Sequence, residues 1–410
     1  MIGSLGFIPF LMFEKLGIPY SGSIIYVIVT FILIISILYF MGNRPQFSFK
    51  DLMTYKLIII LFGLLILRNS FTPVRGWDAY SMYDGRARML MSGLKFSDFA
   101  EFNKYEDTNY MYYSSYPPMT SVVHAVLYNQ GFKTPMWIYG LFYFSYFVFI
   151  YQIIYETNIN KYLKFGLTAI AVFNPIIFDQ VNVAYTNLPA LGFQTAALYL
   201  LIKFIKLSEP RYLMVSGILL GFSNWTRSLE PIYIAIGIAL SITLFYMKNI
   251  SILKKVVYFA SFILIALIPN LIWSNYIKVN IGNIGGTSQI GAVDLISSLL
   301  GSIYLSNVTE VLYFIYTTFM TMKWYFIVFV VSLIGYYLNR KNSFSNEMIF
   351  ISLMIFFIIS IMFAGTLYFS VTYKWWNEIP GSFLRSNILL MPLMSIFAAM
   401  SLSILNYPKR

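Results

Sequence analysis

"YKLIIILFGLLILRNSFTPVRGWDAYSMYDGRARML" spans residues 55–90. Its first half, 55–72, is an apolar run with Lys56 and Arg68 as its only charges. Its second half places Arg75, Asp78, Asp84, Arg86 and Arg88 within fourteen residues. A helix of about 20 apolar residues crosses a hydrocarbon core, and charges collect where such a helix leaves it. The rest of the chain repeats this pattern. Hydrophobic residues make up 59% and charged residues 11%, against roughly 25% charged in a soluble domain, and the mean hydropathy is +0.71. Apolar runs at 22–41, 55–72, 136–155, 164–180, 187–205, 211–226, 231–247, 256–275, 322–338, 348–369 and 385–404 predict an all-α, polytopic transmembrane protein. It has about 11–12 spans in a single integral membrane domain over 1–410. No cleavable signal is evident. The first twenty residues, interrupted by Glu14 and Lys15, read as a short anchor or half-helix.

Lys and Arg set the orientation. One group of short connections holds Arg44, Lys50, Lys56, Lys161, Lys164, Lys203, Lys206, Arg211, Lys248, Lys254, Lys255, Arg340, Lys341, Lys409 and Arg410. Its only acids are Asp51, Glu156, Glu209 and Glu347. That side is assigned to the cytoplasm, and the chain to the plasma membrane as a multi-pass protein.

The opposite, extracytoplasmic side carries long loops over 73–135, 276–321 and 370–384. Long loops on one side are where function concentrates. Within the first loop, Met119, Val122, Val123, Val126 and Leu127 follow a helical period. Residues 117–131 are therefore expected outside as a surface element, an amphipathic helix lying in the interface plane. Leu295, Ile296, Leu299, Leu300 and Ile303 hint at a second such helix, and part of 308–321 has the alternative of dipping into the membrane.

Several functions are excluded. Without cysteine there is no disulfide, thiolate metal site or cysteine nucleophile. The one histidine, His124, rules out a multi-histidine metal centre and reads as structural. The net charge of +12 follows from topology and points to membrane lipids, not to nucleic acid. No Walker loop, dinucleotide fingerprint, HExxH or G-x-S-x-G is present. The spans hold almost no ionisable residue, which counts against a pump or ion-coupled transporter.

Asp78 follows span 55–72 between Trp77 and Tyr80. It suits the N-cap of a helix whose face holds Tyr80, Tyr83, Ala87 and Leu90. It also suits a general base toward a hydroxyl or amine at the bilayer surface. Arg75, Arg86 and Arg88 surround the carboxylates. Arg227 closes "GFSNWTRSLEP" (221–231), and Arg385 opens the last span. A guanidinium pairs with phosphate through its planar fork, so these arginines are candidates to hold a lipid phosphate. Snorkelling, or ion pairs with Glu230 and Glu378, is the plainer alternative. "FDQVNVAYTNLPALGF" (178–193) clusters Asp179, Asn182, Tyr185 and Asn187 outside, or is a turn capped by Thr186 or Asn187, with Pro189 in the first turn of the next helix. "YYSSYPPM" (112–119), with Tyr116, and "VTYKWWNEIPG" (371–381), with Trp376 and Glu378, bring aromatic surfaces that can stack on a sugar or form an interfacial belt.

The order of these features resembles the type C glycosyltransferases, the polytopic superfamily that includes protein O-mannosyltransferases and aminoarabinose–lipid A transferases. "GWDAYSMYDGRARMLMSG" (76–93) and "YPPMTSVVHAVLYNQG" (116–131) carry the detail, and the layout extends over most of the chain. The resemblance implies a sugar donor on a polyprenyl phosphate, transferred with inversion to an acceptor at the outer face. It implies Asp78 as catalytic base. It implies Arg75, Arg86, Arg88, Arg227 and Arg385 on the donor phosphate, and Trp77, Tyr80, Asp84, Tyr116, Asp179, Asn187, Glu230, Trp376 and Glu378 around the substrates. The second acid that many members carry beside the base is Ala79 here, and Asp179 or Asp84 is left to stand in for it. No cofactor is expected, and a divalent metal is not favoured. The acceptor is a glycan, a lipid or a protein. The competing readings are a flippase or other transporter of lipid-linked oligosaccharides, and a glycan polymerase or ligase.

Overall fold

The computed structural model describes residues 2–17, 56–76, 79–98, 116–227, 230–280, 305–320, 323–339, 345–372, 377 and 388–405, and every regular element among them is helical. In chain order the helices are α1 (Ile2–Leu16), α2 (Lys56–Asn69), α3 (Gly85–Met91), α4 (Met119–Asn129), α5 (Trp137–Tyr155), α6 (Lys161–Val172), α7 (Pro175–Asp179), α8 (Asn187–Leu207), α9 (Pro210–Thr226), α10 (Glu230–Tyr246), α11 (Ile252–Asn280), α12 (Leu305–Met320), α13 (Lys323–Asn339), α14 (Asn346–Thr372) and α15 (Leu390–Leu405). A π-type turn, Ala79–Asp84, leads into α3.

Among the described residues, four helices contain a segment long and apolar enough to cross a membrane. They are α5, α8, α11 and α14, or five spans if α6 and α7 with the turn to Asn182 count as one. The expected spans at 55–72, 211–226, 231–247, 322–338 and 385–404 appear as α2, α9, α10, α13 and α15, apolar helices of 14–17 residues. The span at 22–41 and the helix expected around 295–303 lie outside the described residues. Residues 305–320 form the helix α12.

The run 164–180 is not one straight helix. It breaks between α6 and α7 with a bend of 52°. Pro175 has no N–H to donate and biases the residue before it to extended backbone. Asn174 takes that conformation, and its side chain accepts from the N–H of Ile176, capping the new helix.

The helix α8 is the centre of the bundle. Its spanning window is 94% buried, whereas that of α11 is 22% buried. α5, α9 and α14 pack around α8, and α11 packs on the far side of α9. Gly217 and Gly221 make the α9–α11 contact close, since a Cβ on Gly217 would stand 3.3 Å from the carbonyl of Phe262 and one on Gly221 3.3 Å from that of Ile265. Small residues four apart let two backbones approach in this way. Outward, Val256, Val257, Leu264 and Leu271 of α11 are exposed, as are Leu57, Ile60, Leu61, Leu64 and Leu67 along one stripe of α2. Continuous apolar surface of this kind is uncommon on a soluble monomer and suits a lipid environment.

The helix α4 forms where the periodicity predicts, but it is not a surface element. α1, α3 and the end of α9 pack on it. Thr120, Ser121 and His124 are as buried as the valines. The reason is α1, which covers one side so closely that a Cβ on Gly6 would stand 2.9 Å from Met119 and 3.2 Å from Val123.

Candidate active site at one end of the bundle

Four segments distant in sequence meet at one end. Asn69 at the end of α2 donates its Nδ2 to the carbonyl of Val181 at 3.0 Å, and Arg68 donates to Asn182 Oδ1 at 3.1 Å. Gly76 has φ +95°, and a Cβ there would fall 2.8 Å from Val183. The left-handed backbone and the lack of space both call for glycine. Tyr83 Oη and Thr186 Oγ1 are 3.5 Å apart. Thr134 donates to the carbonyl of Thr72, drawing in the start of α5. The end of α9 joins through Thr226, which donates to the sulfur of Met119. At the other end, Lys203 pairs with Glu156 at 2.6 Å and Lys206 with the same carboxylate at 3.7 Å. These two lysines thus lie at the end of α8 opposite the candidate site.

Asp84 lies at the π turn's end and is 0% exposed. Tyr128 donates to its Oδ1, and Arg88 Nε donates to its Oδ2 at 3.0 Å. His124 Nδ1 stands 3.6 Å from Oδ1, beyond hydrogen-bond reach. His124 Nε2 is 3.1 Å from Tyr139 Oη. Burial pushes the Asp84 carboxyl up, but the interactions with His124, Tyr128 and Arg88 outweigh it and hold it below the ordinary carboxylate value. Burial pushes His124 down against the pull of Asp84, which favours the neutral imidazole.

Arg86 is 5% exposed. Its Nε donates to Ser121 Oγ at 3.1 Å, one Nη to the carbonyl of Tyr116 at 3.1 Å, and the other to that of Pro117 at 3.2 Å. The guanidinium also lies 5.3 Å from the Phe96 ring centroid. Burial pushes its pKa down to about 10, with Tyr83 opposing.

The expected site residues therefore divide. Arg86, Asp84, Tyr116 and Asn187 come together with Tyr83 and Thr186 at this end. Arg86 and Asp84, however, point into protein contacts and away from open surface, because α4 supplies Ser121, His124 and Tyr128 as their partners. Arg88 is 60% exposed and caps the network from outside, 5.2 Å from the Tyr128 ring. Tyr80 and Arg75 are exposed, and Arg227 is half-buried at the end of α9. The π turn widens the backbone by one residue per turn, so Tyr80 leaves the face that Tyr83, Ala87 and Leu90 share. Asn187 is buried and donates to Gln180 Oε1 at 2.9 Å. Thr186 makes no side-chain cap, and Pro189 sits in the first turn of α8. Asp179 is exposed on the bend, at the rim of this cluster. Trp77, Asp78, Trp376, Glu378, Arg385 and the side chain of Glu230 lie outside the described residues. Among the described residues, no three His, Asp or Glu side chains are grouped to hold a metal ion.

The sequence reading passed over Ser121, Tyr128 and the partnership of His124 with Asp84. The available signal was the spacing of Ser121, His124 and Tyr128 at i, i+3 and i+7, a polar stripe opposite the valines. Comparison with known protein families, with curated proteins and with solved structures finds no match.

Proposed function

We propose that this chain is a glycosyltransferase of the type C architecture, with 11–12 spans in the plasma membrane. It moves a sugar from a polyprenyl-phosphate donor to a glycan, lipid or protein acceptor on the extracytoplasmic side. The observation that supports this best is the meeting of 68–76, 79–91, 116–129 and 180–187 at the end of the bundle opposite Glu156, Lys203 and Lys206. Asp78 lies in the chain between Gly76, packed on Val183 and Tyr185, and the buried Ala79. In this reading Asp78 takes the proton of the acceptor hydroxyl or amine. The acceptor heteroatom attacks the anomeric carbon, the bond to the phosphate oxygen breaks with inversion, and polyprenyl phosphate leaves. Arg75 and Arg227 at this end, with Arg385, neutralise the phosphate charge as it develops. Arg227 is half-buried at the end of α9, and partial exclusion of water there makes its share of that stabilisation stronger than in solution. No cofactor takes part.

The test uses the purified chain in detergent with a panel of radiolabelled polyprenyl-phosphate sugars and an acceptor-containing membrane extract, with and without chelator. Sugar release by wild type and its loss in Asp78→Asn is the expected result. Release by both proteins makes Asp78 a helix cap. Release by neither, with lipid-linked glycan crossing proteoliposomes, replaces the enzyme with a flippase. Preference for oligosaccharide-lipid over monosaccharide-lipid donors turns the reading to a polymerase or ligase.

A further inference from the structure

Polar atoms inside apolar helices are costly unless paired, so unpaired ones mark places where something else is accommodated. Three sit just beneath the candidate site. Gln194, 3% exposed, lies seven residues into α8 from Asn187, about 10 Å along the axis. Asn224, 2% exposed, is in the last turn of α9, three residues before Arg227. Tyr233 is in the first turn of α10. Gln194 Nε2, Asn224 Oδ1 and Tyr233 Oη are buried and make no hydrogen bond of full geometry among the described residues, although Tyr233 Oη lies close enough to Ser223 and Gln194 to interact weakly with both. Tyr233 Oη faces Ser223 and Gln194 and lies in the field of Arg227. Asn224 and Tyr233 also line a cavity of about 30 Å³, with Leu220, Ile236, Phe262 and Ala266 among its other walls. That volume accommodates one water-sized group.

The chemistry of the set is specific. An amide N–H donates, an amide oxygen accepts, and a phenol does either. No charged side chain belongs to it, and the cation Arg227 stands at its outer edge. Such a set matches a neutral hydroxyl next to an anionic group. We propose that Gln194, Asn224 and Tyr233 form a recognition pocket for one hydroxyl of the transferred sugar, with the donor phosphate at the level of Arg227. This rests on the glycosyltransferase reading and adds to it the residues that select the sugar. The alternative is that the three residues are interhelical glue.

The experiment compares wild type, Tyr233→Phe and Gln194→Leu as full chains in detergent. The probes are polyprenyl-phosphate mannose, glucose and galactose and their single-deoxy forms, read as sugar release together with the thermal unfolding midpoint. Wild type should favour one parent sugar over one of its deoxy forms by about tenfold or more, and both variants should reduce that preference to within about twofold. Their unfolding midpoints should stay close to that of wild type, because each substitution removes a buried polar group that has no hydrogen bond of full geometry to lose. Unchanged preference in the variants overturns the proposal. So does an equal loss on all donors with a lowered midpoint, which is the signature of glue. Absence of release from every donor by wild type is a failure of the glycosyltransferase reading itself, and the pocket falls with it.

Discussion

Replacing Arg86 by methionine separates a structural strut from a phosphate ligand. Burial lowers the guanidinium from 12.5 to about 10, so keeping it charged inside costs on the order of 3 kcal/mol. Against this stand its hydrogen bonds to Ser121 and to the carbonyls of Tyr116 and Pro117. From a charged donor each contributes about 1.5–3 kcal/mol, or roughly 5–9 kcal/mol for the three. The difference predicts that Arg86→Met destabilises the protein by about 2–6 kcal/mol. Arg86→Lys should recover only part of this, since one ammonium cannot reproduce a planar fork reaching three acceptors. Arg75→Ala is the control. Arg75 is exposed, and an exposed charge contributes about 0–1 kcal/mol. Thermal unfolding in detergent, followed by tryptophan fluorescence, measures all three variants. The reasoning is refuted if Arg86→Met keeps the wild-type midpoint while losing donor binding, because Arg86 would then hold the phosphate and not the Tyr116–Pro117 backbone.

Two further outcomes follow from the packing and the buried histidine. His124 is held below its ordinary value of 6.5, so as pH falls through 6.5 the unfolded chain takes up its proton before the folded one. Stability is then full above 6.5 and declines below it, by at most about 1.4 kcal/mol per pH unit from this group. Asp84 is held below its ordinary 3.8 and contributes a separate loss only at more acid pH. Unfolding midpoints taken between pH 8 and pH 5 should fall for wild type and flatten for His124→Gln, and equal slopes would disprove the assignment. Gly221→Leu should destabilise by about 1–3 kcal/mol through overpacking, because Pro269 and the carbonyl of Ile265 lie within 3.3 Å of its Cβ position. Gly166→Leu, inside α6 with nothing within 4 Å, should hold or raise the midpoint, since a mid-helix glycine costs about 0.5–1 kcal/mol.

Helical class, the positions of the described apolar helices and the break signal at Asn174–Pro175 are local properties. They depend on composition, periodicity and the missing N–H of a proline, and the sequence alone carries all three. The spans α5, α8, α11 and α14 are legible for that reason. The sequence also determined that charges crowd 75–88, since residue type alone decides what leaves an apolar environment. What it could not decide is which of those charges remain at the surface. Arg86 and Arg88 are two residues apart and chemically identical, yet one is enclosed and the other open. The difference arises because α4 and the two residues Tyr116 and Pro117 ahead of it, some thirty residues later, present Ser121 and two backbone carbonyls to one, while α4 presents a tyrosine ring to the other. The polar stripe of α4 likewise looks like a solvent face until α1 and α3 pack on it. Gln194, Asn224 and Tyr233 come together only where the start of α10 meets α8 and the end of α9. Burial and partner choice depend on contacts between segments far apart in the chain, and only tertiary packing settles those.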